Sequence, residues 1–306
     1  MLSAVREVWY ISLMPLLLVT SLIWAFSFGL VKRHLAGVDA AFVAFTRLAL
    51  ALLLFLPLWR PRRVTAASAL RLLAIGAVQF GLMYVFYIES FRFLAAHQVA
   101  LFTVLTPLYV TAADDLRERR FRPLHFWTAL LAVAGTAVIV YQGWGSAGLL
   151  AGFLLVQASN ACFAAGQVWY RRLPGAGDWG DRRDFAWLYL GGAAASALAW
   201  SVRSGAAAPR LDAGQAAVLL YLGLLASGIG FFLWNLGATR VSAGTLAVMN
   251  NLKVPLAVAV SLLIFAERAD PARLAVGAAA IALALYLNEK KTRKSSGKTE
   301  GREREE

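Results

Sequence analysis

Two cations interrupt apolar stretches that are otherwise long enough to cross a membrane. Lys253 lies in VMNNLKVP, residues 248–255, and Arg47 is the tenth residue of VDAAFVAFTRLALALLLFLPL. A lysine or arginine at the bilayer centre costs about 2.5–3.5 kcal/mol on insertion scales, so such residues are normally functional. No carboxylate in the sequence is placed centrally in a span to pair with both cations. The pattern indicates a site for an anionic ligand, most simply a carboxylate, with arginine suited to bidentate contact.

Each cation also has a structural explanation that the sequence leaves open. Lys253 could tie two helices together, and Arg47 could pair with Glu89 or with carbonyl groups at a helix end. Glu89, however, lies near the end of its span and has Arg92 three residues away, which is the spacing of neighbours on a helix. The ligand-site interpretation is therefore the preferred one.

Carboxamides follow one face of a third apolar stretch. Gln157, Asn160, Ala164 and Gln167 recur at spacings of three, four and three residues, which places them on a common helical stripe. A lipid-facing surface would not carry three carboxamides, so the stripe should face a polar cavity that suits a ligand with a planar hydrogen-bonding ring. With amides and aromatic rings from other spans, the predicted substrate-binding residues are Lys253, Asn250, Asn251, Arg47, Asn160, Gln157, Tyr84, Tyr87, Trp24, Trp234 and Asn235.

The elements that must position these residues are transmembrane helices. The chain has 306 residues, 60% apolar and 15% charged, and a mean hydropathy of +0.64. Soluble domains are about 45–50% apolar and about 25% charged, so this composition predicts an all-α integral membrane protein. Ten stretches are long enough to span about 30 Å of hydrocarbon: 10–30, 38–58, 70–90, 96–113, 125–142, 148–169, 185–202, 215–235, 243–265 and 272–288.

The basic residues predict how these spans are oriented. The net charge is +13, and apart from Arg47 and Lys253 the Lys and Arg residues divide into 21 on one side of the predicted membrane and seven on the other. The positive-inside rule then places both termini in the cytoplasm. Because topology already accounts for the charge, a nucleic-acid partner is not expected.

The ten spans divide into two copies of five. FLAAHQVALFTVLTPL (93–108) aligns with VSAGTLAVMNNLKVPL (241–256), which brings Pro107 over Pro255. Asn250, Asn251 and Lys253 then occur in the second copy only, so the fold itself does not require them. Five is odd, so the second copy enters the membrane in the opposite sense and forms an inverted repeat. The predicted boundaries are a cytoplasmic N-terminus (1–9), two repeats (10–143 and 144–288) and a disordered charged cytoplasmic tail (289–306).

Four stretches carry a family resemblance: LIWAFSF (22–28), LFTVLTPLY (101–109), LLVQASNACFAAGQVWYRRL (154–173) and ASGIGFFLWNLGATRVSAGTLAVMNNLKVP (226–255). They resemble the EamA-type branch of the drug/metabolite transporter superfamily, and within its carboxylate, amino-acid and amine group the single-component biotin transporters. The resemblance implies a secondary transporter of the bacterial inner membrane that imports biotin, a small carboxylate, by alternating access. The alternative in the same superfamily is an exporter of amino acids, amines or other small metabolites.

No enzyme signature accompanies these features. The sequence has no P-loop, GxSxG, HExxH or CxxC motif, one cysteine, and three histidines without ligand spacing, so we expect neither an enzyme, a cofactor, a metal site nor an ATPase subunit. Membrane lipid and a small anionic substrate are the expected partners. An anion moving into an inside-negative cell is opposed by about 2.3 kcal/mol per charge per 100 mV. Proton coupling is therefore the hypothesis, with Lys253 as a candidate proton carrier; sodium coupling and uncoupled facilitation are the alternatives.

Overall fold

The computed structural model of the chain consists of helices joined by short loops. It describes residues 17–59, 64–117, 147–173, 181–240 and 243–270, with isolated positions at 127 and between 272 and 286. These residues form eight long helical segments and no β-strand. The predicted spans at 125–142 and 272–288, the N-terminus (1–9) and the tail (289–306) lie outside the described residues, apart from those isolated positions.

The eight helices each overlap one predicted span. They are α1 (17–35), α2 (Ala40–Leu58), α3 (Ala66–Ser90), α4 (96–117), α5 (Ala147–Arg171), α6 (Asp181–Ser204), α7 (213–240) and α8 (Ala243–Leu263). Five of them, namely α2, α3, α5, α6 and α7, contain segments long and apolar enough to cross a membrane. Shorter apolar stretches lie in α4 and α8. The all-helical, membrane-spanning character expected from composition is confirmed.

Side-chain caps fix where two of the helices begin. Asp39 precedes α2, and its Oδ1 accepts a hydrogen bond from the Phe42 N–H at 2.8 Å. Asp212 precedes α7 and forms a capping box with Gln215, whose N–H donates to Asp212 Oδ1 at 2.8 Å. Such caps satisfy N–H groups that have no partner within the helix. Both caps lie at the same end of the bundle.

This end, which we call the Glu267 end, gathers Lys32, Asp39, Glu89, Arg203 and Glu267. Its contacts join Lys32 Nζ to the Phe91 carbonyl (2.7 Å), Arg203 Nη2 to Glu89 Oε2 (3.0 Å), the Ala96 N–H to Glu267 Oε1 (2.8 Å) and Gln215 Nε2 to the His34 carbonyl (3.2 Å). Gly152 on α5 also packs here, against Leu94. Consequently α1, α3, α6 and α8 end at the Glu267 end, whereas α2, α4, α5 and α7 begin there.

Helices of the first half pack closely against helices of the second. A Cβ added at Gly76 on α3 would lie 1.9 Å from the Leu188 carbonyl oxygen on α6, and one added at Gly191 would lie 2.0 Å from the Leu73 carbonyl oxygen. Only glycine permits backbones to approach so closely. These two glycines therefore set the close packing of α3 against α6.

Two helices are interrupted by π-helical segments at matching places. They are Ala77–Leu82 in α3 and Tyr221–Ile229 in α7. The segment in α7 presents carbonyl groups to other helices: Ala226 O accepts from Trp24 Nε1 at 2.9 Å, and the Tyr189 hydroxyl lies 2.7 Å from Ser227 O. π-helical turns often occur at functional sites, and this one leads to the cavity described next.

Candidate substrate-binding site

A cavity lies between the two halves of the helical bundle. It encloses about 540 Å³ of space between atoms, a figure that includes space open to solvent. Seven of the eight helices contribute side chains, and only α6 does not. The lining residues are Trp24, Ser27, Phe28, Arg47, Met83, Tyr84, Tyr87, Thr103, Thr106, Ser159, Asn160, Phe163, Phe231 and Lys253.

Both charged side chains among the described lining residues are positive. Arg47 is 1% exposed and Lys253 is 8% exposed, and both line the cavity. None of the fourteen described lining residues is acidic. A pocket lined by two buried cations favours an anionic ligand, because both cations attract a negative charge placed between the helices.

Arg47 is held by two hydroxyl groups from other helices. Its Nε donates to Ser227 Oγ at 3.1 Å and its Nη2 donates to Tyr84 Oη at 2.7 Å, and these two hydroxyls lie 2.9 Å apart. The guanidinium carbon also lies 4.0 Å from the centroid of the Tyr84 ring. Nη1 makes no hydrogen bond to any described residue. The pairing of Arg47 with Glu89 considered from the sequence is wrong, since Glu89 pairs instead with Arg92 at 2.7 Å and with Arg203.

Lys253 occupies a different environment within the same cavity. Its Nζ lies 5.1, 5.8 and 6.0 Å from the ring centroids of Trp24, Phe163 and Trp234, respectively. Aromatic faces attract an ammonium group through the ring quadrupole. Lys253 therefore projects into an aromatic cage, whereas Arg47 is fixed by hydroxyls.

The carboxamides of α5 form a hydrogen-bonded network with α4. Asn160 Nδ2 donates to the Phe102 carbonyl at 2.9 Å, and Asn160 Oδ1 accepts from Thr106 Oγ1 at 3.1 Å. Gln157 lies behind it, with Oε1 3.2 Å from Asn160 Nδ2 and with Nε2 unbonded to any described residue. Asn160 thus reaches the cavity, while Gln157 supports it.

Six of the eleven predicted binding residues line the cavity: Trp24, Arg47, Tyr84, Tyr87, Asn160 and Lys253. Trp234 packs beside Trp24 with ring centroids 5.1 Å apart. Asn235 is not part of the lining, and its Oδ1 accepts from Gln79 Nε2 at 3.1 Å. Asn250 and Asn251 belong to α8, but their side chains lie outside the described residues.

Sequence reasoning missed several small polar residues of the site. Ser227 is 180 residues from Arg47, and nothing local indicates that it contacts a cation. Thr103 and Thr106 also line the cavity. Their spacing of three residues is that of neighbours on a helix, and the repeat alignment places Thr103 opposite Asn251. That alignment is the signal that could have identified them.

Known proteins resemble this chain over most of its length. The EamA-like transporter family matches it twice, at residues 11–141 and 150–289. A protein named "Probable biotin transporter" from Pseudomonas aeruginosa is 46% identical over 283 residues, 90% of this chain and 97% of that protein. Proteins named "Biotin transporter" from Salmonella typhimurium and Escherichia coli K12 are 40% and 39% identical over 284 residues, 90% of this chain and 93% of each.

One solved structure shares the fold. It is described only as the crystal structure of a protein, and it matches with a TM-score of 0.63 at 21% sequence identity, over 90% of this chain and 96% of that chain. At this identity the likeness concerns the fold alone.

Proposed function

Because this chain belongs to the EamA-like transporter family of drug/metabolite transporters, we propose that it imports biotin across the bacterial inner membrane by alternating access. Biotin binds in the cavity between the two halves of the bundle, and a proton that moves with it drives net uptake. The proposal for the substrate is supported by the names of relatives that are 39–46% identical over 90% of this chain.

The charge of the cavity is the observation that carries this choice of substrate. Biotin offers a carboxylate, a flat ureido ring with hydrogen-bond donors and acceptors, and an apolar chain. The lining offers Arg47 and Lys253, the carboxamide of Asn160 with its threonine neighbours, and a wall of aromatic rings. Each part of the ligand therefore finds a chemically matching part of the lining.

The same charge argues against the alternative of an amine or amino-acid exporter. An ammonium group needs a carboxylate, a carbonyl or an unoccupied aromatic face to replace its hydration. No described lining residue is acidic, and Lys253 already occupies the aromatic cage around Trp24. An amine would add a third positive charge to this space.

The directions of the helices support alternating access. The division into two copies of five spans pairs α1 with α5, α3 with α7 and α4 with α8 by their order in the chain. In each of these pairs one helix ends at the Glu267 end and the other begins there. The π-helical segments of α3 and α7 also fall at equivalent positions. An inverted pair of units can rock around a shared central site, exposing it first to one side of the membrane and then to the other.

Proton coupling follows from the charge of the substrate. Accumulation of a carboxylate in an inside-negative cell is opposed by about 2.3 kcal/mol per charge per 100 mV, so concentrative uptake needs an accompanying cation, which we propose is a proton. Lys253 is the candidate carrier, because it is buried in the cavity and, unlike arginine, can release its proton.

Growth of a biotin auxotroph that lacks its own uptake system tests the proposal. Cells that express this chain should grow at trace biotin, whereas cells with the empty vector should not. Both should grow equally well when biotin is abundant, which controls for toxicity of the membrane protein. Expression that fails to lower the biotin requirement, although the protein reaches the membrane, would contradict import.

A further inference from the structure

Two nitrogens of the Arg47 guanidinium group donate hydrogen bonds to described residues, and the third does not. Nε and Nη2 donate to Ser227 and Tyr84, which fixes the plane and orientation of the group. Nη1 is buried and has no hydrogen-bond partner among the described residues. Arg47 as a whole lines the cavity. A guanidinium keeps its charge, and a buried N–H donor without an acceptor is costly. Nη1 itself is enclosed by protein in this conformation, so an acceptor from the cavity completes the arrangement only once the surrounding side chains move aside.

The surroundings of Lys253 do not call for a ligand acceptor in the same way. The rings of Trp24, Phe163 and Trp234 surround its ammonium group within 6.0 Å. Their negative faces partly balance its charge and form an apolar enclosure. A carboxylate placed there would meet electron-rich rings as well as the ammonium group.

We infer that Arg47 holds the carboxylate of the substrate end-on through Nη1, and that Tyr84 and Ser227 act as positioning residues for this contact. The inference rests on the proposed function and assigns a role that the sequence left open between Arg47 and Lys253. Nε and Nη2 already donate to Ser227 and Tyr84. The carboxylate therefore binds Nη1 alone and does not form the two parallel hydrogen bonds of a bidentate pair. Lys253 is then left for the coupling proton.

Specificity for the acid over its neutral amide follows from this geometry. Biotinamide has the ring and chain of biotin but no charge, so it gains little from Arg47. Hydrogen bonds to charged groups are worth about 10- to 100-fold in affinity, and wild-type protein should prefer biotin over biotinamide by a factor of this order. This comparison needs no variant, and equal affinity of the wild type for the two compounds would overturn the inference.

The assignment to Arg47 is tested by measuring both affinities for the purified full-length chain and its variants. Arg47→Gln should weaken biotin binding about 10- to 100-fold and leave biotinamide nearly unchanged, so the preference for the acid disappears. Arg47→Lys should retain part of it. Tyr84→Phe and Ser227→Ala should reduce the preference less than Arg47→Gln, because the guanidinium remains but is no longer held. A loss of packing would instead weaken acid and amide equally.

Arg92→Gln is the matched control, because it removes an arginine that pairs with Glu89 at the Glu267 end. Both affinities should stay unchanged in this variant. The inference is overturned if Arg47→Gln weakens acid and amide in the same proportion, or if the preference disappears in Lys253→Met instead. Failure of the wild type to bind biotin at all would overturn the proposed function itself, so the two failures are distinguishable.

Discussion

At the scale of single residues, two buried asparagines allow an effect on ligand binding to be distinguished from an effect on packing. Asn160 and Asn235 each donate from Nδ2 to a main-chain carbonyl, at 2.9 and 3.1 Å, and each contacts a second polar side chain. Asn160 lines the cavity, whereas Asn235 pairs with Gln79 outside it. They form a matched pair with the same chemistry in two places.

Alanine at these two positions should therefore give different results. Asn160→Ala should weaken biotin binding about tenfold, because it removes a carboxamide that lines the cavity in which we propose that biotin binds. Asn235→Ala should leave the affinity within about twofold, and each substitution should lower the free energy of unfolding by about 1–3 kcal/mol through the loss of buried hydrogen bonds. Equilibrium binding of labelled biotin and thermal unfolding in detergent measure the two effects. Equal losses of affinity would contradict the separation.

Single residues of the site were predictable where their chemistry conflicts with an apolar surrounding. Arg47 and Lys253 stand out because an intramembrane charge is costly, and both line the cavity. Ser227 and Thr106 do not stand out, since a hydroxyl in a helix can bond its own backbone. Their roles depend on which distant helix lies opposite, and the sequence alone does not specify that contact.

At the scale of elements, the contact between α3 and α6 depends on the absence of side chains. Gly76→Ala would place a Cβ 1.9 Å from the Leu188 carbonyl oxygen, a backbone atom that cannot move independently. We expect a loss of about 1–3 kcal/mol in the free energy of unfolding, with less folded protein recovered from membranes. Gly37→Ala is the control, because nothing lies within 4 Å of its added Cβ. Equal thermal stability of the two variants would contradict this packing.

Glu267 joins α8 to the start of α4, and this contact should depend on pH. Burial by itself raises the pKa of Glu267, but hydrogen bonds from His97, Ser261 and the Ala96 N–H outweigh it and lower the pKa to about 2, below the ordinary 4.5. A carboxyl with a lowered pKa stabilises the fold above its unfolded pKa, and this stabilisation is lost as the pH falls toward the folded value.

Glu267→Gln should therefore lower the melting temperature at pH 7, by the equivalent of about 1.5–3 kcal/mol for hydrogen bonds to a charged group. The difference from wild type should shrink as the pH is lowered from 4.5 toward 2. Asp270→Asn, an exposed carboxylate in the same loop, should have a small effect. Thermal scans of the full chain across this pH range measure both, and a difference that does not vary with pH would refute the assignment.

The helices themselves were predictable to within a few residues, because long apolar stretches must satisfy their backbone hydrogen bonds internally. The π-helical segments were not predicted. Tyr221–Ile229 has no proline, and its Ser227–Gly228 pair does not by itself specify a change in helical pitch. Side chains from other helices, such as Trp24 and Tyr189, donate hydrogen bonds to the carbonyl groups of this segment. It is a property of the packed bundle rather than of the local sequence.

At the scale of the whole molecule, alternating access requires the Glu267 end to open and close. His97 and Glu267 lie in contact across this end, with Nδ1 and Oε2 2.8 Å apart. In a Cys162→Ser background, cysteines at these two positions should be bridged by a short bifunctional methanethiosulfonate, which oxidises both thiols to disulfides; this cross-link should block biotin transport, and reduction should restore it. Each single-cysteine variant is the control. Unchanged transport by the oxidised, cross-linked protein would show that this end does not open.

Uptake of labelled biotin into liposomes that contain only the purified protein shows whether the chain carries biotin together with protons. With the outside made acidic, wild-type protein should accumulate biotin above its equilibrium level, and Lys253→Met should abolish this accumulation. Empty liposomes under the same gradient define the background. Uptake at the background level would contradict biotin transport, and uptake indifferent to both the gradient and the substitution would contradict proton coupling.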